Sequence, residues 1–322
     1  MDANLRGDDP DRVGHSLANL IEVLAPLLDL VGAKVVVEIG SYRGDLTREL
    51  LDWAGGSDAR VVAIDPAPQP QLVELSERRR ELNLIRQSSH DALRQIPRPD
   101  AVIIDGDHNY YTVSEELRLV DERGPGGIPL LMVHDVCWPH GRRDAYDAPE
   151  RIPPEQRASM ARDVRLFPGE PGLAEGGLPY PCVARHEGGP RNGVLTAIED
   201  FVGTRDGVRL VIVPAFFGLA VMWREDAPWA SSVANLLEPL DRNPILARLE
   251  ANRVLHIARE HAQVGEAIAL QQRQAIQEDV LNLMLGSSAF AWGERLSRLR
   301  RGGRPLFSRE LVRRALGDTD QI

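Results

Sequence analysis

Apolar residues recur at helical spacing over residues 16–31, where Leu17, Leu20, Ile21, Leu24 and Leu28 fall on one face. This predicts an amphipathic helix. The period then changes. Short β-branched runs follow at residues 34–39 (KVVVEI), 60–64 (RVVAI), 82–85 (LNLI) and 101–104 (AVII), with a fifth apolar run at 128–133. Helical stretches separate them around residues 46–53, 71–81 and 113–121. Continuous apolar strands alternating with helices predict a parallel sheet covered on both faces. Residues 137–192, rich in Pro, Gly, Arg and Asp, keep neither period and are expected to form an irregular insertion acting as a lid. A helix at 194–201 follows. Strands at 209–213 and 217–223, joined by Pro214-Ala215-Phe216, then read as a hairpin closing the sheet.

From Ala234 onward the pattern is helical. Val254, Ile257, His261, Val264 and Ile268 follow three-four spacing, the seam of a coiled coil or of a helix folded back on its own domain. Three segments are therefore expected: an N-terminal helical segment at 1–32, an α/β domain at 33–225 containing the insertion, and a helical C-terminal extension at 226–322.

Candidate chemistry gathers where strands end. The first strand runs into Glu38-Ile39-Gly40-Ser41-Tyr42-Arg43-Gly44 and then a helix. Gly40 permits a sharp turn, Gly44 permits close approach of backbone to ligand, and the helix start offers unpaired N–H donors. Tyr42 stands where a dinucleotide site needs a second glycine. A ligand carrying an amine and a carboxylate rather than a pyrophosphate fits better, with Glu38 near its positive charge. Asp65 ends the second strand roughly 20 residues on, the interval of a ribose-binding acid, a reading favoured here over an N-cap for the next helix. Ser88-Ser89-His90-Asp91 after the third strand suits an adenine edge or a helix cap.

The fourth strand ends in Asp105-Gly106-Asp107-His108 and the fifth in His134-Asp135. As neighbours in the sheet these tips should converge. Asp105, His134 and Asp135 form a possible divalent-cation set, whose oxygens suit Mg²⁺ and whose imidazole leans toward Mn²⁺. His108 is placed to take a proton from an acceptor hydroxyl, or else to bond backbone in the turn. Trp138, His140, Arg142 and Arg143, with His186, Arg191 and Asn192 further on, offer stacking and hydrogen bonding to a polyhydroxylated acceptor, or are solvated loop residues.

Composition narrows the partners. The 322 residues are 43% hydrophobic and 27% charged, as expected of a soluble globular protein. The net charge of -10, from 38 basic and 48 acidic residues, argues against a nucleic-acid partner. A basic cluster (Arg295, Arg298, Arg300, Arg301, Arg304) reads as a solvated helix end. Cys137 and Cys182 make no disulfide framework and no zinc spacing. Residues 1–9 hold no apolar signal core, and no apolar run reaches membrane-spanning length. A cytoplasmic protein is expected.

EIGSYRG, AIDP and IDGDHNYYTVSEEL, followed by HD, resemble the family-24 class I methyltransferases, a group similar to the macrocin and mycinamicin sugar O-methyltransferases and to cephalosporin-hydroxylase-like proteins. The resemblance covers roughly residues 30–225. It implies a Rossmann-like α/β fold whose seven-stranded sheet has an antiparallel last strand, S-adenosylmethionine as donor and, in the sugar-modifying members, a Mg²⁺ site. By position it implies that Glu38, Gly40 and Tyr42, with Ser41 and Gly44 of the same turn, hold the methionine part. Asp65 would hold the ribose, and Ser89 and His90 the adenine. Ser88 departs from an acidic residue there. Asp105 and Asp135 match metal-binding carboxylates and His108 the base, while His134 replaces an acidic ligand. The expectation is an O-methyltransferase acting on a hydroxyl of a sugar, glycan or glycosylated natural product, assembled as a homo-oligomer through its C-terminal helices. The rival expectations are a cephalosporin-hydroxylase-like enzyme and a non-catalytic S-adenosylmethionine-binding assembly protein.

Overall fold

The computed structural model describes residue 14 and residues 16–122 and 128–300. Arg301 and Arg304 of the basic cluster, and residues 1–9, lie outside them. The chain forms two compact units, residues 1–259 and 260–322.

The first unit is built on a seven-stranded sheet. Its parallel strands are β1 (Val35–Ile39), β2 (Arg60–Ile64), β3 (Leu82–Ile85), β4 (Ala101–Ile104) and β5 (Leu130–His134). The insertion contributes β6 (Met160–Leu166) and β7 (Leu178–Ala184), and the main sheet resumes with β8 (Val208–Val213) and β9 (Leu219–Arg224). The order is β3-β2-β1-β4-β5-β9-β8, with β9 antiparallel to both neighbours. This is the Rossmann-like sheet with an antiparallel last strand. The chain turns back between β1 and β4, which opens a crevice at the carboxyl ends of those strands.

The helices of this unit are α1 (Ile21–Val31), α2 (Asp45–Ala54), α3 (Pro70–Arg78), α4 (Ser89–Leu93), α5 (Tyr110–Asp121), α6 (Val194–Gly203) and α7 (Ala230–Leu237). The β-branched runs have no polar face because both sides of the sheet are covered. Val36, Val61, Ile103 and Met132 pack on the side of α1, α2 and α7, while Val37, Val62, Ile104 and Val133 pack on the side of α4, α5 and α6. Successive side chains alternate between these two cores. The N-terminal helix is part of that structure, since Leu24, Leu27 and Leu28 are fully buried in the same cluster as Val36. Val233 and Leu237 of α7 join it too, so the unit continues past residue 225 to Arg259.

The insertion is more ordered than its sequence suggests. Strands β6 and β7 pair antiparallel, with Arg162 opposite Cys182 and Val164 opposite Tyr180. Two features hide this hairpin. Pro179 and Pro181 fall inside β7, where proline removes ladder donors and reads as a strand breaker. Asp163, within β6, has a left-handed backbone. Buried polar groups moor the insertion. The Asp144 carboxylate accepts from the Tyr110 and Gly193 amides (2.8 and 2.7 Å) and from the Tyr146 hydroxyl (2.8 Å).

Helices α8 (Pro244–Gly286) and α9 (Ser288–Arg300) follow. The three-four seam divides along α8: Val254 is buried in the first unit, whereas Val264 and Ile268 in the second are about half exposed (52% and 49%). No helix among the described residues is long and apolar enough to cross a membrane.

Candidate active site

The β1 turn and the β4 tip touch. Gly40 has φ +86, and a Cβ there would lie 2.1 Å from the Asp105 carbonyl oxygen, so glycine is required twice over. Tyr42, also left-handed (φ 43) and 54% exposed, donates its amide to Asp65 Oδ2 at 2.8 Å. Asp65 Oδ1 accepts from the Ala67 amide at 2.7 Å. Asp65 therefore pins the glycine turn to the tip of β2, and each of its oxygens has a further lone pair able to accept a hydrogen bond.

Two glycine-turn expectations change. Gly44 starts α2 with φ +82, and its absent Cβ would sit 3.1 Å from Leu72, so helix packing rather than ligand approach explains it. Glu38 is buried and accepts from Thr47 Oγ1 at 2.6 Å, and burial pushes its carboxyl up to about 7. It ties β1 to α2. Ser41 is buried in the same turn. After β3 the cap of α4 is Ser88, whose Oγ accepts the Asp91 amide; Ser89 is the first helical residue. The His90 ring faces α5, with Nε2 3.2 Å from the Thr112 carbonyl oxygen.

At the tips of β4 and β5 two carboxylates and two imidazoles interlock. His108 Nε2 lies 2.8 Å from Asp135 Oδ2 and 3.5 Å from Asp105 Oδ1. His134 Nδ1 lies 2.9 Å from Asp105 Oδ1, and its Nε2 lies 2.6 Å from the Phe216 carbonyl oxygen. A carbonyl can only accept, so Nε2 carries a proton; a ring nitrogen that close to a carboxylate needs one as well. His134 is thus an imidazolium. Burial alone would lower its pKa, but Asp105 and Asp135 outweigh that and raise it to about 9. The same two acids raise His108 well above the ordinary imidazole range against its own desolvation. Despite burial, the imidazoles hold Asp105 and Asp135 below the usual carboxylate range.

The expected metal set needs correcting at His134, because both its nitrogens are committed and its side chain is 2% exposed. Asp105, His108 and Asp135 are the three whose ligand atoms lie within 4.8 Å of one another, so they could hold a divalent ion. Asp105 and His108 face outward, with side chains 23% and 25% exposed.

Of the insertion residues, His140 reaches this cluster. Its ring stacks on His108 (centroids 5.1 Å apart, 18°), and burial lowers its pKa to about 4, leaving it neutral at pH 7. Trp138 is half-buried three residues beyond Asp135. Arg143 and Asn192 serve the insertion instead. The Arg143 guanidinium donates to the carbonyls of Ala184, Pro171 and Gly172, and Asn192 bonds Asp144, His186 and Gly188. Arg142 pairs with Glu199 at 2.7 Å, while His186 and Arg191 are exposed. Tyr180 was missed. It sits edge-on to His140 (5.2 Å, 87°), half-buried on a proline-flanked strand that gave no strand signal.

With this geometry in place, the methyltransferase domain family matches residues 37–136, from the first strand through both acidic tips. Residues 37–136 are thus similar to a methyltransferase domain. No curated protein matches the chain. Among solved structures it is similar to the Podospora anserina methyltransferase PaMTH1 with S-adenosylhomocysteine bound (14% identity over 69% of this chain and 84% of that one, TM-score 0.41). It is also similar to Streptomyces venezuelae DesVI (14%, 64% and 91%, 0.39) and a Geobacter sulfurreducens methyltransferase (13%, 64% and 78%, 0.37). At these scores the likeness adds nothing to the topology already described. Within the matched region the β1 turn and Asp65 border the Asp105–His108–Asp135 cluster through the Gly40–Asp105 contact.

Proposed function

We propose that the chain is an S-adenosylmethionine-dependent O-methyltransferase acting on a hydroxyl of a sugar, glycan or glycosylated natural product. The observation that carries this is the contact between the Gly40 turn and the Asp105 tip, which sets a donor-binding turn beside a partly open pair of carboxylates and imidazoles. The donor's methionine part lies along residues 40–44, its ribose hydroxyls on the spare lone pairs of Asp65, and its adenine toward Ser89 and His90. The acceptor oxygen attacks the methyl carbon, the carbon–sulfur bond breaks with its electrons going to sulfur, and the hydroxyl proton passes to His108. Alignment supplies most of the acceleration, since the sulfonium is already reactive.

His108 must be neutral to accept that proton. In the ligand-free cluster two imidazoliums balance two carboxylates. A sulfonium arriving beside them disfavours the second imidazolium, so donor binding primes His108 by releasing its proton. Asp135 then stabilises the imidazolium formed during transfer. A divalent ion on Asp105, His108 and Asp135 would polarise the acceptor oxygen, but it would also claim the nitrogen that takes the proton. Because each carboxylate already has an imidazole partner, charge balance does not call for the ion, and we assign His108 as base. Trp138 and Tyr180, both half-buried, supply aromatic surface of the kind sugars stack on, while buried His140 packs between Tyr180 and His108; this supports the polyhydroxylated acceptor class.

Calorimetry with S-adenosylhomocysteine, S-adenosylmethionine and NAD tests the donor. Binding of both adenosyl ligands but not NAD is expected, and binding of neither contradicts the reading. Chelation should leave turnover unchanged; a loss restored by Mg²⁺ or Mn²⁺ would transfer His108 to the metal. In the second unit, Val264, Ile268, Ile276, Val280 and Leu283 are about half exposed or more on a helix that continues from the first. Covering such an apolar face stabilises a helix, and a second copy of this chain is the occupant we assign. Sedimentation of the full chain as a monomer would remove that assignment.

A further inference from the structure

Behind the catalytic edge lies a layer that neither donor nor acceptor is placed to touch. Phe216 and Phe217 form the turn between β8 and β9, and both have left-handed backbones (φ 49 and 66). Such a conformation is costly for a bulky residue and persists only where its surroundings over-determine it. Here the main chain of the turn is engaged on both sides. The Phe216 carbonyl oxygen accepts from His134 Nε2 at 2.6 Å, and the Phe217 carbonyl oxygen accepts from the Cys137 amide at 2.7 Å. The two amides donate to one carboxylate: Phe216 N to Glu250 Oε2 at 3.1 Å and Phe217 N to Glu250 Oε1 at 2.7 Å.

Glu250 lies on α8 and is 8% exposed. Arg253, one turn on, closes over it with Nε and a terminal nitrogen each 2.7 Å from a carboxylate oxygen, and its guanidinium covers the Phe217 ring at 4.6 Å. Gly218 completes the lock, because a Cβ there would lie 2.5 Å from Cys137 Sγ. The carbonyls of this turn thus grip residues on either side of Asp135, which is itself left-handed (φ 60).

We propose that Glu250 is a positioning residue for methyl transfer, acting through the Phe216–Phe217 turn and His134 to set the carboxylates of Asp105 and Asp135. It rests on the reading of those two acids as the catalytic edge. The carboxylate is needed for its two acceptor oxygens, each receiving one of two successive amides. Glutamine supplies one oxygen and turns an amino group toward the other N–H, so it preserves size without preserving function.

The test uses the full chain and the hydrogen-bonded imidazole proton of His134, observed by nuclear magnetic resonance and assigned by its loss in His134→Phe. In Glu250→Ala that resonance should disappear or move while affinity for S-adenosylhomocysteine stays within about threefold, a change worth less than 1 kcal/mol. Once an acceptor is in hand, kcat should fall by on the order of a hundredfold with an unchanged donor KM, the scale expected for misplaced reacting groups. A lower Tm with the His134 resonance unmoved would mean Glu250 only stabilises the fold, and would overturn the proposal. Should Glu250→Ala fail to fold, Glu250→Gln decides: a displaced resonance supports the positioning role, and an unaltered one refutes it. Failure of the wild-type chain to bind S-adenosylhomocysteine would strike the donor assignment while leaving the His134 comparison readable.

Discussion

The two halves of the site are held by opposite means. The turn after β1 is fixed through backbone groups: Gly40 fits where no Cβ can, and the Asp65 carboxylate grips two amides. The tips of β4 and β5 are fixed by charge, with two carboxylates bracketed by two imidazoles within 2.8–3.6 Å. The close packing at Gly40 does not respond to protons. A charge-balanced cluster does, and it also responds to an incoming cation. A methyltransferase has use for both, since the donor must be gripped in one pose while the acceptor's proton must move.

Substitutions can separate these halves. The largest effect should come from Gly40→Ala, which forces a methyl group against the Asp105 carbonyl at a left-handed backbone. A loss of at least about 3 kcal/mol is expected, read as a fall in Tm together with lost S-adenosylhomocysteine binding. Near-normal binding would show that the two tips can part without consequence. His134→Phe removes the nearer of the two imidazoles beside Asp105 and should cost about 2–4 kcal/mol, moderated because His108 remains 3.5 Å away and the Asp105 side chain is 23% exposed. Donor binding should survive this change, in contrast to Gly40→Ala.

Arg143→Met removes three hydrogen bonds to insertion carbonyls and should lower stability by about 2 kcal/mol with unchanged donor affinity, as thermal denaturation and calorimetry would report. Smaller still are the pH effects. His134 has a folded pKa near 9, above its unfolded value, so its contribution to stability is complete below the ordinary imidazole pKa. That contribution is lost as pH rises toward and through 9, and His134→Phe should abolish this part of the stability profile. With His108 as the proposed base, methyl transfer needs it neutral, and its pKa is raised by Asp135 and Asp105. Rate should therefore climb with pH above the ordinary imidazole range, and Asp135→Asn should shift that limb downward. A limb unmoved by Asp135→Asn would remove the pair from the mechanism.

Sequence carried the main-chain half well. Glycine at a strand end is a direct sign of a turn that side chains cannot make, and unbroken β-branched runs announce a sheet covered on both faces. The charged half was legible in composition but not in pairing. His134 and His108 look equivalent along the chain, and only the Phe216 carbonyl, 82 residues away, shows that His134 is fully committed. Arg143 and Asn192 looked like acceptor groups because Arg and Asn in a Gly-rich loop are usually exposed; here they satisfy carbonyls inside the insertion. Tyr180 was concealed by its flanking prolines. Glu250 gave no signal, since a helix-borne glutamate three residues before an arginine reads as an ordinary surface pair.

The central claim is that the β1 turn presents a sulfonium donor to the acidic tips of β4 and β5. A crystal structure of the full chain with S-adenosylhomocysteine tests it most directly. The account predicts the ribose hydroxyls on Asp65 and the sulfur directed at the Asp105–His108–Asp135 cluster. A ligand seated elsewhere, or a sulfur turned away from those residues, would contradict it.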